Sequence, residues 1–225
     1  MPEIFLFIIA CAAFIAVTLV YCILLGKSDL DRFKHPEEYT TKGSSGERII
    51  YTTLIDRFHV PERQMLRNVY IPTQNGKTSE IDLIVVSKKG LLIFEVKNYA
   101  GNIYGDAKRN KWIQYLGKKK NYFLNPFVQN RTHVKHLRKY LEKYGDIPII
   151  PMVTTISRGK WKVKNYGPND YLLGYNSHLA DILLNTPDSE LMAQHFNTIL
   201  AKLTPLSRPD ESVRQEHIEQ IKNGK

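Results

Sequence analysis

The sequence predicts an α/β (α+β) chain in which a mixed β-sheet is flanked by helices and preceded by one N-terminal membrane-spanning helix. Three observations predict it. Residues 4–25 form an unbroken apolar run. Residues 79–86 and 91–97 are two apolar, strand-like segments joined by a short polar turn. Helix signals lie on either side of that pair: an apolar stripe at helical spacing in 46–58, and an Asn-Pro start at 125–126.

The first run has Thr18 as its most polar member and is long enough to cross a hydrocarbon core of about 30 Å. A signal peptide would want a basic start and a shorter apolar stretch. Here the chain opens Met-Pro-Glu, and Tyr21 is too large for the position before a lipid-modified Cys22. Lys27, Arg32 and Lys34 follow the run and no basic side chain precedes it, so the positive-inside rule places the following domain in the cytoplasm of a single-pass membrane protein. Both cysteines lie inside the run, which leaves the remainder with neither a disulfide framework nor a thiolate metal site. Residues 26–45 read as a juxtamembrane linker.

The chain of 225 residues carries a formal net charge of +10, and only Glu3 is charged within residues 1–25. The basic excess therefore lies beyond the membrane run. It favours an anionic partner, nucleic acid or an acidic membrane surface, without choosing between them.

Residues 46–58 form the first expected helix, with Ser45 as N-cap and Ile50, Leu54 and Phe58 as its apolar stripe. Glu47 lies near that stripe, where a carboxylate either favours the helix start or reaches into a site. Residues 66–73 are the first strand, and Asn75-Gly76 is a strong hairpin signal. The central strands follow, with Glu80, Asp82, Glu95 and Lys97 set among apolar residues. Charge in a core strand is costly unless it is paired or holds a metal. Glu95 and Lys97 share a face about 7 Å apart, and Glu80 shares a face with Asp82 by the same alternation. A four-residue loop over 87–90 puts Asp82 opposite Glu95; a three-residue loop with Gly90 as a bulge sends Asp82 to the other face. Local sequence allows both. The first gathers the charges in one place and is the expectation carried forward.

Residues 98–105 read as turn-rich and 111–116 as a strand with Trp112 and Gln114 on one face. Lys118, Lys119 and Lys120 read most simply as an exposed turn. Asn125 and Pro126 start a helix expected to run to about residue 143, with Val134, Leu137 and Leu141 on its apolar face. His133 and His136 lack a third ligand and read as surface histidines. Residues 147–156 are a buried strand, 161–163 and 171–174 short strands, and 177–184 and 188–203 helices. Residues 205–225 are charged and poor in apolar residues, a tail that is either helical or disordered.

Taken together, Gly46-Glu47-Arg48, Glu80-Ile81-Asp82, Gly90, the run from Phe94 to Tyr99, Gly101, Trp112 with Gln114, and Asn125-Pro126 with Gln129 resemble a nuclease-related (NERD) domain of the PD-(D/E)xK nuclease-like superfamily. The resemblance covers roughly residues 43–145, giving a domain at 46–145, an extension at 146–204 and a tail at 205–225. It implies a restriction-endonuclease-like core. It also implies a hydrolase, an endonuclease or exonuclease acting on phosphodiester bonds, with DNA the expected partner and Mg2+ or Mn2+ the cofactor; the apolar run 4–25 makes it a membrane-anchored one. Asp82 and Glu95 take the metal positions, with the Val96 carbonyl as a backbone ligand. Lys97 takes the catalytic position, Glu47 the helix carboxylate, and Gln114 and Gln129 polar positions near the site. Lys108, Arg109, Lys111, Lys118, Lys119 and Lys120 are candidate phosphate contacts. The competing readings are a non-catalytic nucleic-acid-binding or scaffold protein at the membrane, and a hydrolase of another phosphorylated substrate.

Overall fold

In a computed structural model of the chain, the described residues are 44–155, 159–167, 170–173, 179, 182, 185–207 and 211–223. Residues Gly46–Lys225 form one compact unit. The expected membrane helix at 4–25 lies outside the described residues, among which no helix is long and apolar enough to cross a membrane.

Helix α1, Ser44–Phe58, buries Ile50, Tyr51 and Leu54. It begins before the expected cap, so Ser45 sits in its first turn. Ser44 and Ser45 both fall inside the helix, a shift of the size by which helix starts commonly differ. Three antiparallel strands follow: β1, Met65–Pro72; β2, Thr78–Ser87; and β3, Gly90–Lys97. The β1–β2 turn closes with Thr73 N–H donating to Lys77 O at 2.8 Å. Between β2 and β3, Ser87 faces Gly90 and Leu83 faces Phe94, the register that gathers the charges. Gly90 is required there. Its φ is +147°, and a Cβ would come within 2.5 Å of Pro148 O.

β3 is covered on both faces. Leu91 and Ile93 pack with Leu137 and Ile199 on one side; Leu92 and Phe94 pack with Ile50 and Leu54 of α1 on the other. A strand buried twice reads as a continuous apolar run, as this one does. Parallel to β3 lies β7, Ile149–Thr155, and parallel to β7 lies β9, Tyr171–Leu173, giving a five-stranded mixed sheet in the order β1-β2-β3-β7-β9.

The crossover from β3 to β7 carries a second sheet that the sequence reading did not anticipate. β4, Asn102–Asp106, falls in the stretch expected to be turns, and β6, Lys119–Leu124, contains two of the three lysines expected in a turn. With β5, Lys111–Leu116, and β8, Lys160–Lys164, they form a mixed sheet in the order β6-β5-β4-β8. These strands are short and carry Ile113, Leu124 and tyrosines on the face opposite Ile103 and Trp112, which blurs the alternation and gives a weak periodic signal. The inward residues Ile103 and Trp112 are fully buried against Phe127 and Val153.

Helix α2, Pro126–Tyr140, starts as expected. The Asn125 side chain accepts from Phe127 N–H at 2.9 Å, and its amide donates to Ala107 O and Arg109 O. The helix ends short of residue 143, in a 3-10 turn at Glu142–Tyr144. α3, Glu190–Leu203, packs on the same side of the first sheet as α2. Of the helix expected at 177–184, only Leu179 and Ile182 are described, both helical. The charged tail forms α4, Glu211–Asn223. It docks on β2 through His217, whose Nδ1 meets Thr78 Oγ1 at 2.8 Å, and through Gln220, which accepts from Thr78 N–H.

Candidate active site

The site is built on an irregularity in the first sheet. The β1–β2 ladder pairs Arg67 with Leu83 and Val69 with Ile81, but skips Asn68 and Asp82 between them. Asn68 has φ +48°, a left-handed conformation that asparagine tolerates better than most residues. Alternation breaks at the same point. Ile81 packs in the cluster of α2 and α3, whereas Leu83, two residues on, packs in the cluster of α1. Strict alternation would put both on one face. The expectation that Glu80 and Asp82 share a face by simple alternation therefore fails at this kink. The β2–β3 ladder also ends at Leu83–Phe94, and from there the Asp82 carboxylate takes the Val96 N–H at 2.7 Å.

Glu95 and Lys97 project to one face of β3. Lys97 Nζ lies 2.5 Å from Glu95 Oε1, and His133 Nε2 lies 3.1 Å from Glu95 Oε2. His133 Nδ1 in turn meets the Ser79 hydroxyl at 2.9 Å. The His133 side chain is only 13% exposed, so it is a site residue and not the surface histidine expected from the sequence. Its partner Glu95 lies 38 residues away in the chain, and no local pattern reports that contact.

Electrostatics tie these groups together. Burial would raise the Glu95 carboxyl pKa, but the His133 hydrogen bond and the Lys97 charge outweigh it and hold the group below its ordinary value. Asp82 goes the other way, pushed well above the usual carboxylate range by burial and by the Glu95 charge. Burial opposes the charge on Lys97, yet Glu95 and then Asp82 overcome it and raise its pKa, so Lys97 is a firm cation at neutral pH. Glu47 feels the same field. Burial raises its carboxyl, Arg67 of β1 and Arg214 of α4 lower it, and Glu80 and Glu95 raise it. Tyr70 donates its hydroxyl to Glu80 at 2.8 Å, and His217 approaches the other Glu80 oxygen at 3.6 Å.

The remaining expected residues divide. Gln114 donates to Ala100 O at 2.9 Å and accepts from Asn121, bracing the link that leaves Lys97. Gln129 sits half-buried in the first turns of α2, its N–H bonded to Asn125 O. Lys108, Arg109, Lys111, Lys118, Lys119 and Lys120 are all exposed and belong to the second sheet and its turns. Two clefts among the described residues are lined by other side chains, one between α2 and β7 and one beside the β1–β2 turn.

Among the described residues, no three His, Cys, Asp or Glu side chains are gathered for a metal ion. The donor chemistry nonetheless suits a hard divalent cation. Such an ion is commonly held by one or two carboxylates, with water and substrate oxygen completing the shell. Asp82 and Glu95 supply two carboxylates that repel each other, and a cation between them would relieve that repulsion. Each carboxylate oxygen can accept more than one partner, so the Lys97 and His133 contacts leave capacity on Glu95.

Comparison with known proteins places the chain in a family. A relative from Bacillus anthracis, itself described as an uncharacterized protein, is 28% identical over 182 residues, covering 81% of this chain and 84% of its own length. That alignment is longer than the domain alone. The profile of the nuclease-related domain (NERD) matches residues 42–156, a span holding α1, β1 to β7 and every site residue except those of α4. The chain belongs to the nuclease-related domain family.

Proposed function

We propose that the protein hydrolyses phosphodiester bonds in nucleic acid, DNA before RNA, as a divalent-metal-dependent nuclease held at the membrane by residues 4–25. The observation that supports this best is the opposite perturbation of Asp82 and Glu95 around one lysine. Pairs of titratable groups whose surroundings drive them apart are typical of acid–base sites.

Asp82 and Glu95 would hold Mg2+ or Mn2+, with the Val96 carbonyl as a further oxygen ligand. When bound, such an ion polarises the phosphodiester and lowers the pKa of a bound water. Lys97 remains protonated, so it acts by donating and by offsetting negative charge as the phosphorus is attacked; it is not the base. His133 fixes the Glu95 carboxylate from the side opposite Lys97. Glu47, with its carboxyl raised by burial, is suited to take the proton of the attacking water.

The test is cleavage of supercoiled and linear DNA by the full-length protein in detergent, with Mg2+, with Mn2+ and with chelator. Metal-dependent cleavage abolished by both Lys97→Ala and Asp82→Ala is the expected result. A second reading has one observation in its favour: both Glu95 oxygens already have partners, as a purely structural ion-pair network would require. No cleavage, with DNA binding unchanged by either substitution, would establish that binding or scaffold reading instead.

A further inference from the structure

The outer face of the second sheet carries, beside the candidate phosphate contacts Lys111 and Lys120, a set of tyrosines that the nuclease reading does not use. The strand registers fix which residues share it. Tyr104 of β4 lies opposite Ile113 of β5 and Lys162 of β8; Ile113 lies opposite Tyr122 of β6; and Tyr115 lies opposite Lys120. Directly opposed residues point to the same side of a sheet. The other side carries Ile103, Trp112 and Phe123 and is packed against α2 and β7. The outer side is open: Tyr122 is 61% exposed, Leu124 47% and Tyr104 40%.

Three tyrosines on one face, interleaved with lysines, need an explanation, since exposed aromatic surface of this kind marks a binding site. The rings are ordered. Tyr104 and Tyr115 meet edge to face with centroids 5.6 Å apart. Lys120 Nζ stands 5.0 Å from the Tyr122 centroid and 5.9 Å from that of Tyr115, and Lys162 Nζ stands 5.4 Å from Tyr104. Lys111, Lys160 and Lys164 extend the same face by register. Asp106 is the only acidic side chain among the described residues of this face. Its carboxylate is engaged at the end of the sheet, accepting from the Lys108 N–H of its own turn and from the Asn165 amide that follows β8.

We propose that this face binds single-stranded nucleic acid, with unpaired bases stacking on Tyr104, Tyr115 and Tyr122 and phosphates meeting the surrounding lysines. The charge is complementary to a polyanion, and it disfavours a second copy of the same face by like-charge repulsion. Single strands expose base faces that aromatic side chains can stack on, and stacking platforms in basic grooves are the general solution for holding them. A duplex shows only base edges in its grooves, which a flat sheet of tyrosines does not read. The platform is also close to the carboxylates along the chain. β4 begins five residues after Lys97, a link that spans at most about 18 Å. A strand bound here would enter the Asp82–Glu95 site already unpaired. The inference shares with the nuclease reading only the nature of the ligand; catalysis is not required for it.

The experiment is fluorescence anisotropy with full-length protein in detergent, using a labelled oligothymidylate of about ten nucleotides, the scale of one such site, and a duplex of equal length. Each of Tyr104→Ala and Tyr122→Ala should weaken single-strand binding at least about fivefold, with Tyr→Phe at the same positions close to wild type because the ring is kept. Replacing Lys120 and Lys162 by Ala together should flatten the salt dependence by about 1.4 in log–log slope. Retained stacking without cleavage supports this inference and rejects only the nuclease; cleavage of duplex without single-strand binding does the reverse. Wild-type protein that ignores the oligothymidylate overturns the proposal. So does a tyrosine dependence seen with phosphatidylglycerol vesicles and absent with oligonucleotide, which would assign the face to the membrane surface.

Discussion

The two sheets carry charge in opposite ways. In the first, Asp82, Glu95 and Lys97 are enclosed by protein, and each sets the protonation of the others. In the second, Lys111, Lys120, Lys160, Lys162 and Lys164 stand in solvent on one face. Buried charges interact strongly and are screened little; exposed charges interact weakly and are screened within about 10 Å at ordinary salt. The first sheet therefore concentrates strong mutual coupling at one point, where each group depends on the others. The second spreads its charges over an area, where contributions are small and nearly additive.

The sharpest way to break that contrast is to remove Lys97. Lys97→Ala leaves Glu95 buried beside Asp82 with no lysine between them, and breaking a buried pair from one side costs about 3–5 kcal/mol. Urea denaturation of the full-length protein in detergent, followed by tryptophan fluorescence, measures it. A loss below about 1 kcal/mol would mean that the carboxylates are better hydrated than their burial implies.

His133 comes next. His133→Ala removes a hydrogen bond to an ionised carboxylate, worth about 1.5–3 kcal/mol, and His133→Gln restores part of it. If the residue positions Glu95 for a metal ion, Mn2+ affinity falls about 10- to 100-fold in the alanine variant. Calorimetric titration separates the two roles. Lost stability with unchanged Mn2+ affinity would make His133 a packing residue only.

How far these residues could be read from the sequence follows the same division. Asp82, Glu95 and Lys97 were legible because charge inside apolar strands is improbable without a cause. Their convergence depended on the β2–β3 register, which the 87–90 turn and the clustering argument selected correctly. The kink at Asn68 and Asp82 was not legible, because it depends on two strands breaking alternation together. His133 was hidden for a related reason: its partner is on a different element, and two histidines on a helix look alike until the helix is docked. β4 and β6 were missed because a short strand of tyrosine, lysine and asparagine resembles a loop. The docking of α4 rests on His217 and Gln220, polar residues in a segment too poor in apolar side chains to suggest burial.

Asp82 gives a smaller effect of opposite sign. Its native pKa is raised, so the folded state binds its proton more tightly than the unfolded state does. Stability without metal should fall as pH rises from the ordinary aspartate range to the raised native value, and remain low above it. Glu95, with its lowered pKa, contributes the reverse dependence: its stabilisation is present above the ordinary glutamate value and is lost as pH falls through the native one. Asp82→Asn should remove the first slope and raise stability at neutral pH, while abolishing cleavage. Saturating Mn2+ should flatten the wild-type slope, because the ion replaces the proton. Denaturation midpoints across a pH series, with and without Mn2+, check both statements.

The smallest expected effect belongs to the second sheet. Lys120→Ala, Lys162→Ala and Tyr122→Ala remove exposed side chains whose mutual contacts are cation–π pairs of about 0.5–1 kcal/mol at most, and surface substitutions of this kind usually stay within about 0.5 kcal/mol. Their stability changes should also add, because no buried charge couples them. The same denaturation measurement that registers Lys97→Ala should barely register these three, singly or together. A combined loss well above the sum would mean that the face is a cooperative structural layer, and its tyrosines and lysines would then be holding the sheet together instead of waiting for a strand.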